Sequence, residues 1–98
     1  MLNYLPKWVE SKKKILAIKN FDMEVSPILG DEKKARYIEL HNAMISARAT
    51  IWETGEAGFA ALDGKTGKDV IDESMIIEEW QLDDKLNWWL NEIVIYSE

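Results

Sequence analysis

The chain has no cysteine among its 98 residues, which excludes disulfide staples, thiolate nucleophiles and cysteine-based zinc or iron–sulfur sites together. That absence suits a reducing compartment, and the cytoplasm is the expected location. Histidine is nearly absent too: His41 stands alone, so helical spacing supplies neither a metal pair nor a catalytic dyad. No stretch approaches the roughly 18 apolar residues of a membrane span. Met1 to Lys7 also lacks the basic region and sustained apolar run of an export signal.

What is present describes one small domain over residues 1–98. A hydrophobic fraction of 47% is too high for a disordered chain, and 98 residues are too few for two cores. A chain of this size buries roughly two-thirds of its unfolded surface, so large side chains or association help it fold. A homodimer is therefore one possible partner arrangement.

Charge is divided unevenly along the chain. Residues 1–48 hold nine Lys/Arg against six Asp/Glu, whereas residues 49–98 hold three against twelve. The halves are thus near +3 and −9, and Trp52, Trp80, Trp88 and Trp89 lie in the acidic one.

Periodicity points to helices. Gly30 followed by Asp31 as an N-cap, Glu32 at the positive end of the dipole, and a stretch free of Gly and Pro from Ala35 to Glu53 predict a central helix of about five to six turns. Its broad apolar arc would carry Tyr37, Ile38, Leu40, Met44, Ile45, Ile51 and Trp52, with His41 as a structural histidine at the core edge. Arg48, on the same face, then needs water or a carboxylate from the acidic half. A second helix is expected near the C-terminus, capped by Asp83 or Asp84, with Leu82, Leu86, Trp89, Leu90, Ile93 and Tyr96 at helical spacing. Trp88 and Ile95 lie off that stripe, so the helix is apolar nearly all round, and the run from Ile93 to Tyr96 also suits a strand.

A helix over residues 6–19 with Pro6 in its first turn is favoured, whereas Phe21 to Val25 alternates as an edge strand does. Asp63-Gly64-Lys65-Thr66-Gly67 is turn chemistry between Phe59–Leu62 and Val70–Ile71. Residues 69–80 read as a short helix or an extended connection. The expected fold class is accordingly mainly α, a single-domain helical bundle with a Gly-rich loop or short β-hairpin near residues 55–72. The alternative is α+β, a small antiparallel sheet packed on two helices.

Motifs for chemistry fail on spacing. Gly64-Lys65-Thr66 ends like a phosphate-binding loop, but five residues separate Gly58 from Gly64 where that loop needs four. The segment from Asp63 places Lys65 and Gly67 where a calcium loop needs oxygen ligands, and it ends on Ser74. No serine or threonine has a recognisable base, so the roles of an active site cannot be filled, and no enzyme, cofactor or metal is expected.

The acidic set is the strongest signal. Asp69, Asp72, Glu73, Glu78, Glu79, Asp83 and Asp84 place seven carboxylates in sixteen residues with no Lys or Arg among them. A solvated face over a Trp-rich core is the plain explanation. The functional one is a protein interface in which these carboxylates, with Trp80, Trp88 and Ile95, occupy a basic groove built for nucleic acid, the acids standing in for phosphates and the indoles for bases. Lys12-Lys13-Lys14 with Lys7 and Lys19 contains no arginine and reads as a solvated helix face, so direct nucleic-acid binding is disfavoured.

In size, acidity and lack of cysteine, though in no motif, the chain is similar to the accessory proteins of bacteriophage and mobile elements, among them inhibitors of host nucleases and of CRISPR effectors. That likeness implies a non-enzymatic inhibitor or adaptor acting on a nucleic-acid-handling protein, in the host cytoplasm if phage-encoded. The alternative is a small self-assembling homodimer joined through Trp88 and Ile95.

Overall fold

A computed structural model describes residues 1–98. A helix α1 (Tyr4–Ile18) leads into five strands, β1 (Asp22–Val25), β2 (Ala35–His41), β3 (Ile45–Trp52), β4 (Glu56–Asp63) and β5 (Asp69–Ile76). A single 3₁₀ turn (Glu79–Gln81) then opens α2 (Leu82–Ser97). The strands form one antiparallel sheet in sequence order, β1-β2-β3-β4-β5. Helices cover one side of it, and the other side has no layer over it. This α+β fold overturns the mainly helical bundle.

The largest correction concerns residues 35–53. They form a hairpin, not a helix, because their apolar positions repeat every second residue. Ile38, Leu40, Ile45, Ala47, Ala49 and Ile51 are all buried on the helix side, while Tyr37, Glu39, His41, Ser46, Arg48, Thr50 and Trp52 point the other way. The two strands meet at Asn42, whose side-chain oxygen accepts the Met44 and Ile45 amides at 2.8 and 3.1 Å and so makes the turn locally. The helical arc was an accident of Tyr37, Met44 and Trp52 falling near 3.6-residue spacing; the alanines inside β3 carried the true period.

The second hairpin joins β4 and β5 through the turn expected at residues 63–67. Asp63 Oδ1 accepts the Lys65 and Thr66 amides, each at 2.8 Å, and the Gly67 amide closes on the Asp63 carbonyl at 2.9 Å. Gly55 turns the chain into β4 at φ +95°, where a Cβ would lie 2.8 Å from the Ile77 carbonyl oxygen. Residues 69–80, open between helix and extended chain, are β5 followed by the 3₁₀ turn.

Both terminal helices form close to their sequence-derived bounds. α1 buries Leu5, Trp8 and Leu16 and contacts β1 and β2. α2 buries Leu82, Leu86, Trp89, Leu90 and Ile93, contacts β3, and stays helical through Tyr96. The indoles of Trp8 and Trp89 meet with centroids 6.3 Å apart and tilted by 41°, joining the helices to each other. Each ring nitrogen is satisfied: Trp8 Nε1 donates to Asn87 Oδ1 at 3.0 Å and Trp89 Nε1 to the Ala60 carbonyl at 3.2 Å. Twenty-one side chains make one hydrophobic core between sheet and helices. No helix is long and apolar enough to cross a membrane.

Candidate functional site

The ten residues singled out from the sequence lie on β5, on the 3₁₀ turn and Glu78 just before it, and on α2. Asp69, Asp72 and Glu73 lie exposed on β5, the last strand of the sheet. Glu78, Glu79 and Trp80 follow directly, and Trp80 is 76% exposed. Asp83 and Asp84 occupy the first turn of α2, where the helix dipole favours them. Phe59 ties strand and helix together: it is the register partner of Glu73 on β5, and its ring meets that of Trp88 edge-on at 5.8 Å and 85°.

Several of these residues already have work inside the fold. Trp88 is half-buried against Phe59, so its place off the main stripe of α2 is explained by its seat beside the sheet. Asp83 accepts hydrogen bonds from the Tyr4 hydroxyl and from Asn87 Nδ2, and the first raises the tyrosine's pKa above its usual value. Glu79 stands 3.6 Å from the Met1 amino group. The Glu78 amide donates to Gln81 Oε1 at 2.8 Å and so starts the 3₁₀ turn. Ile95 is 66% exposed near the far end of α2.

Electrostatics separate these acids from the charged groups that β1 to β4 carry on the bare face of the sheet. There Arg48 and Lys33 each have an anion. Arg48 pairs with its cross-strand partner Glu39 and stacks over the Tyr37 ring at 4.2 Å. Lys33 reaches Glu56 at 2.7 Å and lies over Trp52, and Lys33 holds the Glu56 carboxyl below its ordinary pKa. His41 Nε2 lies 3.4 Å from Asp22. Arg48 thus meets an acid of the first half, not of the second, and neither it nor His41 belongs to the core.

From Asp69 to Asp84, by contrast, six of the seven carboxylates have no cationic partner, Glu79 being the exception. Uncompensated negative charge therefore projects from one edge of the sheet and from the turn that follows it. Such a field attracts a basic surface from beyond contact distance.

Sequence reasoning missed that these acids lie on a sheet edge. β5 pairs with β4 alone, so one row of its backbone groups is unpaired. The signal was the run Asp69-Val70-Ile71, with β-branched residues directly after a turn motif. The bare sheet face was missed as well; Tyr37, Trp52 and Ile76, the last 80% exposed, lie on it. Alternation in β3 was the pattern that would have shown it.

No curated protein matches the chain. A family model described as "Immunity protein TriTu" matches residues 3–92, a span that takes in both helices as far as Glu92 and every strand. The chain belongs to the TriTu family of immunity proteins.

Proposed function

We propose that this protein neutralises a toxin by binding it, and that the side formed by β5, the 3₁₀ turn and the start of α2 is the binding surface. The family match supports the first part: membership of an immunity family is consistent with a protein-binding inhibitor. The second part rests on the six unpaired carboxylates between Asp69 and Asp84, with Trp80 exposed among them. A cognate surface of opposite sign is basic. A basic groove with stacking aromatics is how proteins hold nucleic acid, so the toxin is a nucleic-acid-handling protein, such as a nuclease, whose substrate path the acidic side fills. The carboxylates then occupy phosphate positions and Trp80 supplies a flat apolar contact.

The mechanism is steric and electrostatic. Long-range attraction speeds encounter, short-range contact excludes the substrate, and no covalent change is needed. Binding therefore weakens as salt screens the attraction over a Debye length of about 8 Å at physiological ionic strength.

The test is capture of the toxin by the tagged protein, followed by charge reversal. Asp72→Lys with Glu73→Lys is expected to lower the association rate by about tenfold or more at low salt, with a smaller difference at high salt, and to reduce protection of toxin-expressing cells. Nucleic acid is expected to compete with the wild-type protein for the toxin. If the doubly reversed variant binds and protects as the wild type does, the acidic side is not the interface.

A further inference from the structure

The backbone at the β5 edge points to how a partner docks. In an antiparallel ladder, hydrogen-bonded and non-hydrogen-bonded pairs alternate. The Ile77 amide donates to the Gly55 carbonyl at 2.8 Å, which sets the phase. Met75, Glu73 and Ile71, opposite Ala57, Phe59 and Ala61, therefore bond inward to β4, and Asp72, Ser74 and Ile76 direct their N–H and C=O groups away from the sheet. This edge is eight residues long, has no proline and no lysine, and is not covered by a helix. The opposite edge, β1, is only four residues and is followed by Pro27. Natural edges are normally blunted by a short strand, lysine, proline or a covering segment. β5 has none of these: a bulge near Val70 interrupts only its start, and from Ile71 to Ile76 the ladder is regular and the edge is guarded by acids alone, Glu73 among them on the helix face.

We infer that β5 accepts an extended basic segment of the partner protein as a sixth strand of the sheet, bonded to the backbone of Asp72, Ser74 and Ile76. This rests on the reading of the acidic side as the toxin-binding surface and specifies its geometry. Side chains on both faces of β5 define the guest. Basic residues belong opposite Asp72 on the bare face and opposite Glu73 on the helix face, and an apolar residue belongs opposite Ile76. Acids also select against a second copy of this chain: two β5 edges paired about a two-fold axis near residues 72–74 would bring like charges together, which destabilises a cross-strand pair. Main-chain bonds provide the attachment and the flanking charges the selectivity, as in other strand-addition complexes.

The probe is a blocked octapeptide, VVTKKVTK, which in antiparallel register sets valine opposite Ile76 and lysines opposite Glu73 and Asp72. Titrated into the labelled protein at low ionic strength, it is expected to shift the amide resonances of Asp72, Ser74 and Ile76 and to slow their hydrogen exchange. Methylating the peptide nitrogens at positions 3 and 5, which face β5, is expected to weaken binding by about tenfold or more, while methylation at positions 4 and 6 is tolerated. The acidic analogue VVTEEVTE is expected not to bind.

On the protein side, Ser74→Pro removes an outward N–H without touching the β4 ladder and is expected to abolish binding, whereas Ser74→Ala keeps it. If Ser74→Pro does not fold, the methylated peptides decide. Absence of peptide binding, equal binding of both methylated forms, shifts centred on Tyr37 and Trp52, or a wild-type dimer that Ser74→Pro dissociates each overturn strand addition. Toxin neutralisation lost on charge reversal but retained in Ser74→Pro would overturn this mode while leaving the proposed function standing.

Discussion

Single side chains hold the two ends of this molecule in place. Tyr96, near the end of α2, donates its hydroxyl proton to Asp63 at the β4–β5 turn, and Tyr4 near the start of α1 does the same to Asp83. The Tyr96 hydroxyl, joined by the amides of Thr66 and Lys65, holds the Asp63 carboxyl down to about 2, and the same bond raises the tyrosine. A carboxyl whose folded pKa is depressed contributes stability above its unfolded value, here near 3.8, and loses it as pH falls toward 2. A tyrosine whose folded pKa is raised contributes below its unfolded value of 10 and loses that as pH rises through the folded one. Thermal melts of Tyr96→Phe should accordingly show a lower midpoint at neutral pH and a shallower dependence between pH 4 and 2. Some dependence remains, because the turn amides still hold Asp63. An unchanged acid profile would mean that this bond does not form in solution.

At the scale of elements, what was legible in the sequence depended on whether one signal stood alone. α2 was readable because Leu82, Leu86, Trp89, Leu90 and Ile93 share one face and are all buried. The 63–67 turn was readable from Asp and Gly chemistry that acts within five residues. The β2–β3 hairpin was misread because Asp31, Glu32 and the absence of Gly and Pro satisfy helix rules locally, whereas the strand pairing that won is a contact between segments. Ala47 and Ala49 favour helix by propensity, and only their burial opposite Leu40 and Ile38 shows the period of two. Edge position is still less visible, since it depends on the order of all five strands.

The β3–β4 connection provides a test at this scale. Gly55→Ala places a Cβ against the Ile77 carbonyl at a positive φ and should destabilise the fold by roughly 1–3 kcal/mol in urea melts. Gly58→Ala, whose Cβ would meet the Trp52 ring at an ordinary 3.8 Å, should be near neutral. Equal losses at both sites would mean that strand glycine, and not this turn, limits stability.

For the whole molecule, the charge asymmetry along the chain becomes an asymmetry in space. The lysines of the first half lie mainly on α1, with Lys13 near Glu10 and Lys19 near Glu98, and Lys33 and Arg48 on the bare sheet face are matched by acids. Unmatched acid remains on the side made by β5 and the start of α2. That residue of charge was visible in composition; its concentration beside an unpaired sheet edge was not. The chain belongs to an immunity family, and under the proposed function this acidic side is the surface that meets the toxin.

The most direct test is a hydrogen-exchange footprint of the protein bound to its captured toxin. Protection is expected across residues 69–81, strongest at Asp72, Ser74 and Ile76, with little change on the bare face around Tyr37, Arg48 and Trp52. Protection confined to that bare face or to α1, with residues 69–81 unchanged, would contradict the account.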